Sequence, residues 1–239
     1  MGLVNNEITR FQGGLNNRDT NSIAASLKQP DPSLYHNYYE DFDRFALAEW
    51  AVVNPNGGAG TGALNASAEG GRININSDAG LGNDAGLQKL GRGFSLEASR
   101  PLLFKSQLQL DVVNTSRIAI GLQEPTNGEP EDPGAGAWIL SSPGNDNLQF
   151  VTAAAPGEGV TGPVVGTIAD ATDFEASFYW DGIDRIYYGL NGVATGFVTQ
   201  DATFPIGVIL TPVVFVSNGT VAANRVLQCD YILCAKERG

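Results

Sequence analysis

The sequence is poor in the residues that carry most enzyme chemistry. Its 239 residues include one histidine, two cysteines and one methionine. With His36 as the single imidazole there is no His-based metal cluster, and no Ser or Cys partner for a triad is visible. Cys229 and Cys234 stand in one extended run at odd spacing, which points their side chains to opposite faces. In that geometry they cannot bridge, and they are expected to be buried free thiols. Their context matches no zinc motif. Basic residues are also scarce, 14 Lys+Arg against 26 Asp+Glu, for a net charge of −12. A polyanion is repelled by such a surface, so a nucleic-acid partner is not expected. No apolar run approaches the roughly 20 residues of a membrane span. Met1 to Phe11 lacks the basic region and apolar core of a signal peptide. Asn6 stands where a myristoylation signal needs Ser or Thr. Sequons at Asn65, Asn114 and Asn218 are read as chance in a chain without a secretory signal. No membrane partner, cofactor or metal is expected.

What the chain has in quantity is turns and alternation. There are 30 glycines and 12 prolines, which suits a turn-rich β protein. A chain of this length buries roughly 70–75% of its unfolded surface, so it needs no disulfide or metal to hold it. The most informative stretch is Phe174 to Val198. Asp181-Gly182 and Asn191-Gly192 punctuate alternating apolar runs, and both dipeptides tolerate the positive φ of type I′ hairpin turns. Three antiparallel strands in a meander follow. Phe174, Ala176, Phe178 and Trp180 are expected on one face, then Ile186, Tyr188 and Leu190, then Val193, Thr195 and Phe197. Bulky aromatics across neighbouring strands suit a face packed on a second sheet.

The rest of the chain reads in the same way. Residues 1–33 form an Asn-rich polar segment, an N-terminal arm with the isolated apolar residues Leu3, Val4, Ile8, Phe11 and Leu15. Asn21 to Leu27 has helical spacing, with Ile23 and Leu27 on one face, stopped by Pro30 and Pro32. These apolar residues are too sparse for a core but can form an interface with a neighbouring subunit. Residues 34–239 form the body. Strands are expected near Glu49 to Val53, Arg72 to Asn76, Phe94 to Ala98, Phe104 to Val112, Arg117 to Leu122, Ala137 to Leu140, Leu148 to Thr152, Val164 to Ile168, Pro212 to Ser217 and Arg225 to Lys236. Gly57 to Gly62 and Ser77 to Gly86 are expected loops, and Gln123 to Gly136 is a long acidic, proline-containing excursion. About a dozen short strands at this spacing predict an all-β, two-sheet antiparallel β-sandwich.

From Tyr39 to Arg238 the chain resembles concanavalin A-like jelly rolls of the laminin-G kind. The resemblance is carried by Asp41-Phe42-Asp43 leading to Trp50, Gly70-Gly71 before an isoleucine strand, Gly121-Leu122, Trp180-Asp181-Gly182, Asn191-Gly192, Leu210-Thr211-Pro212 and Asp230-Tyr231-Ile232. With the polar arm, the whole resembles small virion structural proteins of tailed bacteriophages. That resemblance implies a capsid decoration (cement) protein or tail component, located in the virion and made in the host cytoplasm. It implies a homo-oligomer whose arm and loops contact the major capsid protein or other virion proteins.

The fold also hosts lectins and glycoside hydrolases, so sites must decide. Hydrolases of this fold carry Glu-x-Asp-x-x-Glu, and glycosidases need two carboxylates about 5–10 Å apart. The central strands offer Glu175 alone, with Ser177 and Tyr179 at the next same-face positions. Asp41 and Asp43 share a face in an entry segment, and Asp181 and Asp184 bracket a turn. Calcium could be held at a rim by Asp78, Asn83 and Asp84, or by Glu129, Glu131 and Asp132, though neither set matches an EF-hand. Trp138, Tyr179, Trp180 and Tyr187 could stack on sugars, with core packing as their ordinary role. The sequence therefore leads to the expectation of a non-enzymatic virion structural protein without catalytic residues. The alternative is a carbohydrate-binding module used in host attachment, with a glycan as partner.

Overall fold

The computed structural model describes residues 35–54, 59–65, 71–125, 134–155 and 162–238. The N-terminal arm, with Leu3, Val4, Ile8, Phe11, Leu15, Ile23 and Leu27, lies outside the described residues, as do Glu129, Glu131 and Asp132. Fifteen strands and one short 3-10 turn make up the regular structure of the described residues. In chain order the strands are β1 (Tyr35–Glu40), β2 (Trp50–Val53), β3 (Thr61–Leu64), β4 (Ile73–Asn76), β5 (Asp84–Lys89), β6 (Leu102–Leu110), β7 (Arg117–Gln123) and β8 (Gly136–Ser141). They continue as β9 (Asn147–Ala153), β10 (Val164–Thr167), β11 (Asp173–Trp180), β12 (Arg185–Leu190), β13 (Val193–Thr199), β14 (Thr211–Ser217) and β15 (Val226–Glu237).

The strands form two antiparallel sheets. The eight-stranded sheet runs β13-β12-β11-β6-β15-β4-β3, with β1 also paired to β15. The seven-stranded sheet runs β10-β9-β8-β7-β14-β5-β2. The 12-residue β15 is long enough to pair with β4 through Val226–Cys229 and with β1 through Ile232–Glu237. The expected all-β sandwich is what forms. Alternation builds it: Phe104, Ser106, Leu108 and Leu110 of β6, and Ile118, Ile120 and Leu122 of β7, are buried. Between the sheets Phe104 stacks on Phe178 with centroids 5.0 Å apart. Phe150 of the opposite sheet meets Phe178 at 5.5 Å and Tyr188 at 5.4 Å. These offset and tilted contacts are the arrangements aromatic quadrupoles favour.

The meander forms at β11, β12 and β13, and the Asn191-Gly192 turn has φ of 53° and 77°, as a type I′ turn requires. The Asp181-Gly182 connection differs. Only Gly182 has positive φ, and Asp181 Oδ1 accepts from the backbone N–H of Ile183, Asp184 and Arg185. That Asp-capped loop is longer than a two-residue turn, so β12 starts at Arg185 and Ile183 is left exposed.

Other differences come from β-bulges. A register shift at Tyr188/Gly189 changes the parity of β13, so Phe197 pairs with Tyr187 on the outer face, and Val198 takes the place against the core. A second shift between Cys229 and Tyr231 turns both Cys229 and Cys234 into the same core, against the expectation of opposite faces. Both thiols are free and buried. One extra residue exchanges the faces of everything beyond it.

Phe94, Leu96 and Ala98 form no strand; Phe94 and Leu96 make isolated bridges and are buried. Conversely, β1 lies in the expected entry segment, while β3 and β5 extend into the expected loops. The sequences of β3 and β5, Thr-Gly-Ala-Leu and Asp-Ala-Gly-Leu-Gln-Lys, have little β propensity. Pairing with β4 and β14 makes them strands.

Candidate functional site

The outer face of the eight-stranded sheet combines exposed rings with charged groups. Its framework is the cross-strand register. Tyr179 of β11 lies opposite Tyr187 of β12, which lies opposite Phe197 of β13. Their rings follow one another at 6.5 Å and 5.7 Å. The Arg185 guanidinium lies 4.6 Å from the Phe197 ring, within cation–π range. Toward the other side, Tyr39 of β1 meets Tyr231 of β15 at 6.1 Å. Tyr35, Leu103, Tyr179 and Leu233 form the apolar floor, with Tyr187 and Tyr231 packed on it. Tyr39 is 60% exposed and Phe197 48%, so the ends of this aromatic row are open to a ligand. Burial, and next to it Asp181, pushes the Tyr179 phenol up to about 12, so it is a neutral hydroxyl at physiological pH.

Carboxylates stand beside the rings. Glu175 Oε2 receives Lys105 Nζ at 2.6 Å and the Tyr231 hydroxyl at 2.7 Å. Burial first, then Glu175, raises the Tyr231 phenol far above its ordinary range, so Tyr231 acts as a donor. Asp173, two residues earlier on the same face, is held by both Arg72 guanidinium nitrogens at 3.0 and 2.9 Å and by Gln109 Nε2 at 3.1 Å. Arg72 also approaches Asp230 at 3.9 Å. Burial raises the Asp230 carboxyl, an effect Arg72 opposes. Residues two apart in a strand are about 6.6 Å apart along the chain, which puts Asp173 and Glu175 in the separation range of glycosidase pairs. Glu175 thus has an acidic companion, contrary to the sequence reading. The strand begins one residue earlier than the apolar alternation suggests, because Arg72 and Gln109 fix Asp173 in the sheet.

The other sequence candidates fall elsewhere. Trp138 and Trp180, each 1% exposed, cannot stack on a sugar. The Trp180 indole N–H donates to the Glu97 carbonyl at 2.9 Å, and that of Trp138 to Gln123 Oε1 at 3.3 Å. Tyr179 and Tyr187 do belong to the face. Asp41 Oδ1 accepts from the Asp43 N–H at 3.3 Å, a local turn contact. Asp78 serves as an acceptor for the backbone N–H of Ala59 and Ala79 and for the Asn83 amide. Among the described residues no group of three His, Cys, Asp or Glu side chains is placed to hold a metal ion. His36 packs its ring 4.8 Å from Phe94, and burial followed by Arg238 lowers its pKa. Tyr39, Phe197, Tyr231, Asp173, Lys105 and Arg72 were not named as site residues from sequence. Phe197 was placed by alternation with Val193 and Thr195, and Asp173 stands at even spacing from Glu175.

No protein-family model matches the chain, and no curated protein sequence does. Solved structures do match in shape. An endo-1,3-beta-glucanase from Streptomyces sioyaensis aligns with a TM-score of 0.61 at 13% identity, covering 88% of this chain and 99% of that one. The catalytic domain of an endo-1,3-beta-glucanase (laminarinase) from Thermotoga petrophila RKU-1 aligns at 0.59 and 13%, covering 84% and 97%. The carbohydrate recognition domain of Emp47p aligns at 0.57 and 11%, covering 86% and 98%. The fold is therefore a concanavalin A-like jelly-roll β-sandwich of the kind found in glucanases and carbohydrate recognition domains.

These likenesses overturn the expectation that the chain is not an enzyme. Endo-glucanases recur among the structures that share the fold, so the architecture is one that carries glycoside hydrolysis. Asp173 and Glu175 stand two apart in β11, so Glu175 is not solitary on its face.

Proposed function

We propose that the protein binds a glycan across the outer face of the eight-stranded sheet. The observation that carries this reading is the open aromatic row, Tyr39 at one side and Tyr187 with Phe197 at the other, flanked by Glu175, Asp173, Lys105 and Arg72. Rings of this kind cover the apolar faces of sugars, and charged side chains on the same surface accept and donate to hydroxyls. The named activities of the fold neighbours make β-1,3- and mixed-linkage β-glucans the first ligands to try.

The test is calorimetric titration with β-1,3- and mixed-linkage glucan oligosaccharides, paired with an assay for new reducing ends. Saturable binding that weakens in Tyr187→Ala and Phe197→Ala supports the reading. Absence of binding at millimolar sugar removes it. Release of reducing ends that is lost in both Glu175→Gln and Asp173→Asn makes the same face hydrolytic.

The place of work is a second proposal: a bacteriophage virion, where a glycan-binding face serves host attachment. It is supported by the sequence resemblance and by the net charge of −12, which suits a more basic capsid or tail neighbour. Co-purification with the particle and its major capsid protein is the measurement. A protein found only free in the lysate counts against it.

A further inference from the structure

The edges of the two sheets are not alike. The seven-stranded sheet ends at β10 and β2, and the eight-stranded sheet at β3 and β13, with β1 beside β15. β2, β3 and β10 have four residues each, and a register shift at Val164/Gly166 interrupts β10. β1 carries His36 and Glu40. Short strands, bulges and charged side chains are the devices that keep an edge from accepting another strand. β13 is longer, seven residues reading Val-Ala-Thr-Gly-Phe-Val-Thr, with no charge and no proline. Its one bulge lies toward the Asn191-Gly192 turn and leaves residues 196–199 in regular pairing. Among the described residues no strand pairs with the open side of β13, and Val193 and Phe197 are exposed.

The hydrogen-bond phase shows which backbone groups are left open. The Gln200 N–H donates to the Asp184 carbonyl at 2.6 Å. Bonded and non-bonded pairs alternate along an antiparallel ladder. Val198 and Ile186 are therefore the next bonded pair, whereas Phe197 with Tyr187 and Thr199 with Arg185 are non-bonded pairs. The N–H and C=O of Phe197 and Thr199 point away from β12, to the open side. We propose that a second copy of this chain pairs there, antiparallel about a two-fold axis at Phe197, joining the two eight-stranded sheets into one. Phe197 then exchanges both backbone bonds with its own copy, and Val198 lies opposite Gly196. Antiparallel is the sense of every pairing in this sheet, and a two-fold contact needs only a self-complementary strand. Charge favours a copy over a basic partner. The chain carries −12 overall, but β13 offers no carboxylate to attract a cation, and two uncharged strands meet without repulsion at the contact. The axis also sets Phe197 beside its copy on the outer face, so each chain extends the other's row of Tyr179, Tyr187 and Phe197. The pairing does not rest on the glycan reading; only the use of the joined row for a longer sugar does.

The experiment measures the mass of the full chain by light scattering across micromolar concentrations, without sugar, beside two variants. Thr199→Pro removes an outward N–H and leaves the rings in place, a change an edge strand tolerates. Phe197→Lys sets two like charges directly opposite each other at the axis. Circular dichroism verifies the fold of each. The expected result is twice the chain mass for the wild type and a single chain mass for both variants. Register is read separately with Phe197→Cys. Bonded partners have Cα atoms about 5.5 Å apart, within disulfide range, so diamide should link two such chains many times faster than it links Ile183→Cys, which is exposed away from the edge. The native thiols, both buried, do not compete. A wild type that stays monomeric overturns the proposal, and so does a dimer that survives Phe197→Lys or links equally well through position 183. Loss of glucan binding in a chain that remains dimeric removes the glycan reading and leaves the pairing standing.

Discussion

Replacing Phe197 by alanine separates a binding surface from a packing surface. Phe197 lies on β13, the edge strand of its sheet, and is 48% exposed. Its ring touches Tyr187 at 5.7 Å and carries the Arg185 guanidinium at 4.6 Å. A fully buried Phe→Ala change costs about 3–5 kcal/mol. A ring half in water loses only part of that, so the fold should weaken by about 1–2 kcal/mol. Stacking of a ligand ring on an aromatic side chain contributes about 1–2 kcal/mol, so the Kd for a glucan oligosaccharide should rise about 5- to 30-fold. The assay is calorimetric titration at neutral pH, with urea unfolding of the same preparations. Phe150→Leu is the matched control: it disturbs the core contacts with Phe178 and Tyr188 and should lower stability while leaving Kd within about twofold. Equal Kd for wild type and Phe197→Ala would refute the assignment of this face.

Three further outcomes follow from single groups. Lys236 Nζ and the Ser95 hydroxyl bond to Glu97, holding its carboxyl at about 2 rather than the ordinary 4.5. A depressed carboxyl stabilises the fold above its unfolded pKa, and that stability is lost as pH falls from about 4.5 toward 2. With the side chain one-third exposed, Glu97→Gln should cost about 1–2 kcal/mol at pH 7, with the gap to wild type closing at acid pH in urea titrations. Burial pushes the Cys229 thiol up to about 12 and raises Cys234 as well. Neither should therefore react with a thiol reagent at pH 8 until denaturant is added, and rapid labelling of the native protein would contradict this placement. Finally, a Cβ at Gly192 meets only Glu175 Oε1 at 3.9 Å, but the backbone has a φ of 77°. Gly192→Ala should destabilise by about 1 kcal/mol through conformation alone, read as a lower urea midpoint with unchanged slope.

Much of the sandwich is legible in the chain because strand alternation is local. The inward sets of β6, β7 and β11 can be read residue by residue, and the Asn191-Gly192 turn states its own geometry. The weak strands β3 and β5 are not legible, because their residues become extended only through their partners. The candidate site was half visible. Glu175, Tyr179 and Tyr187 could be placed on outward positions, but Trp138 and Trp180 look like sugar platforms until burial removes them.

The sequence by itself determined the fold class, the meander and the inward faces of the central strands, since each depends on residues a few positions apart. Only the tertiary structure decided which faces meet beyond a bulge and which distant groups share a surface. The shift in β13 carried Phe197 outward beside Tyr187, and the shift in β15 turned Cys229 and Cys234 into one core. Arg72 reaches Asp173 across 101 positions of sequence, and Tyr231 reaches Glu175 across 56. The physical reason is the same in each case. The pleat fixes a side chain's direction from its neighbours in the chain, whereas bulges and strand order are set by pairing with segments the local sequence does not contain.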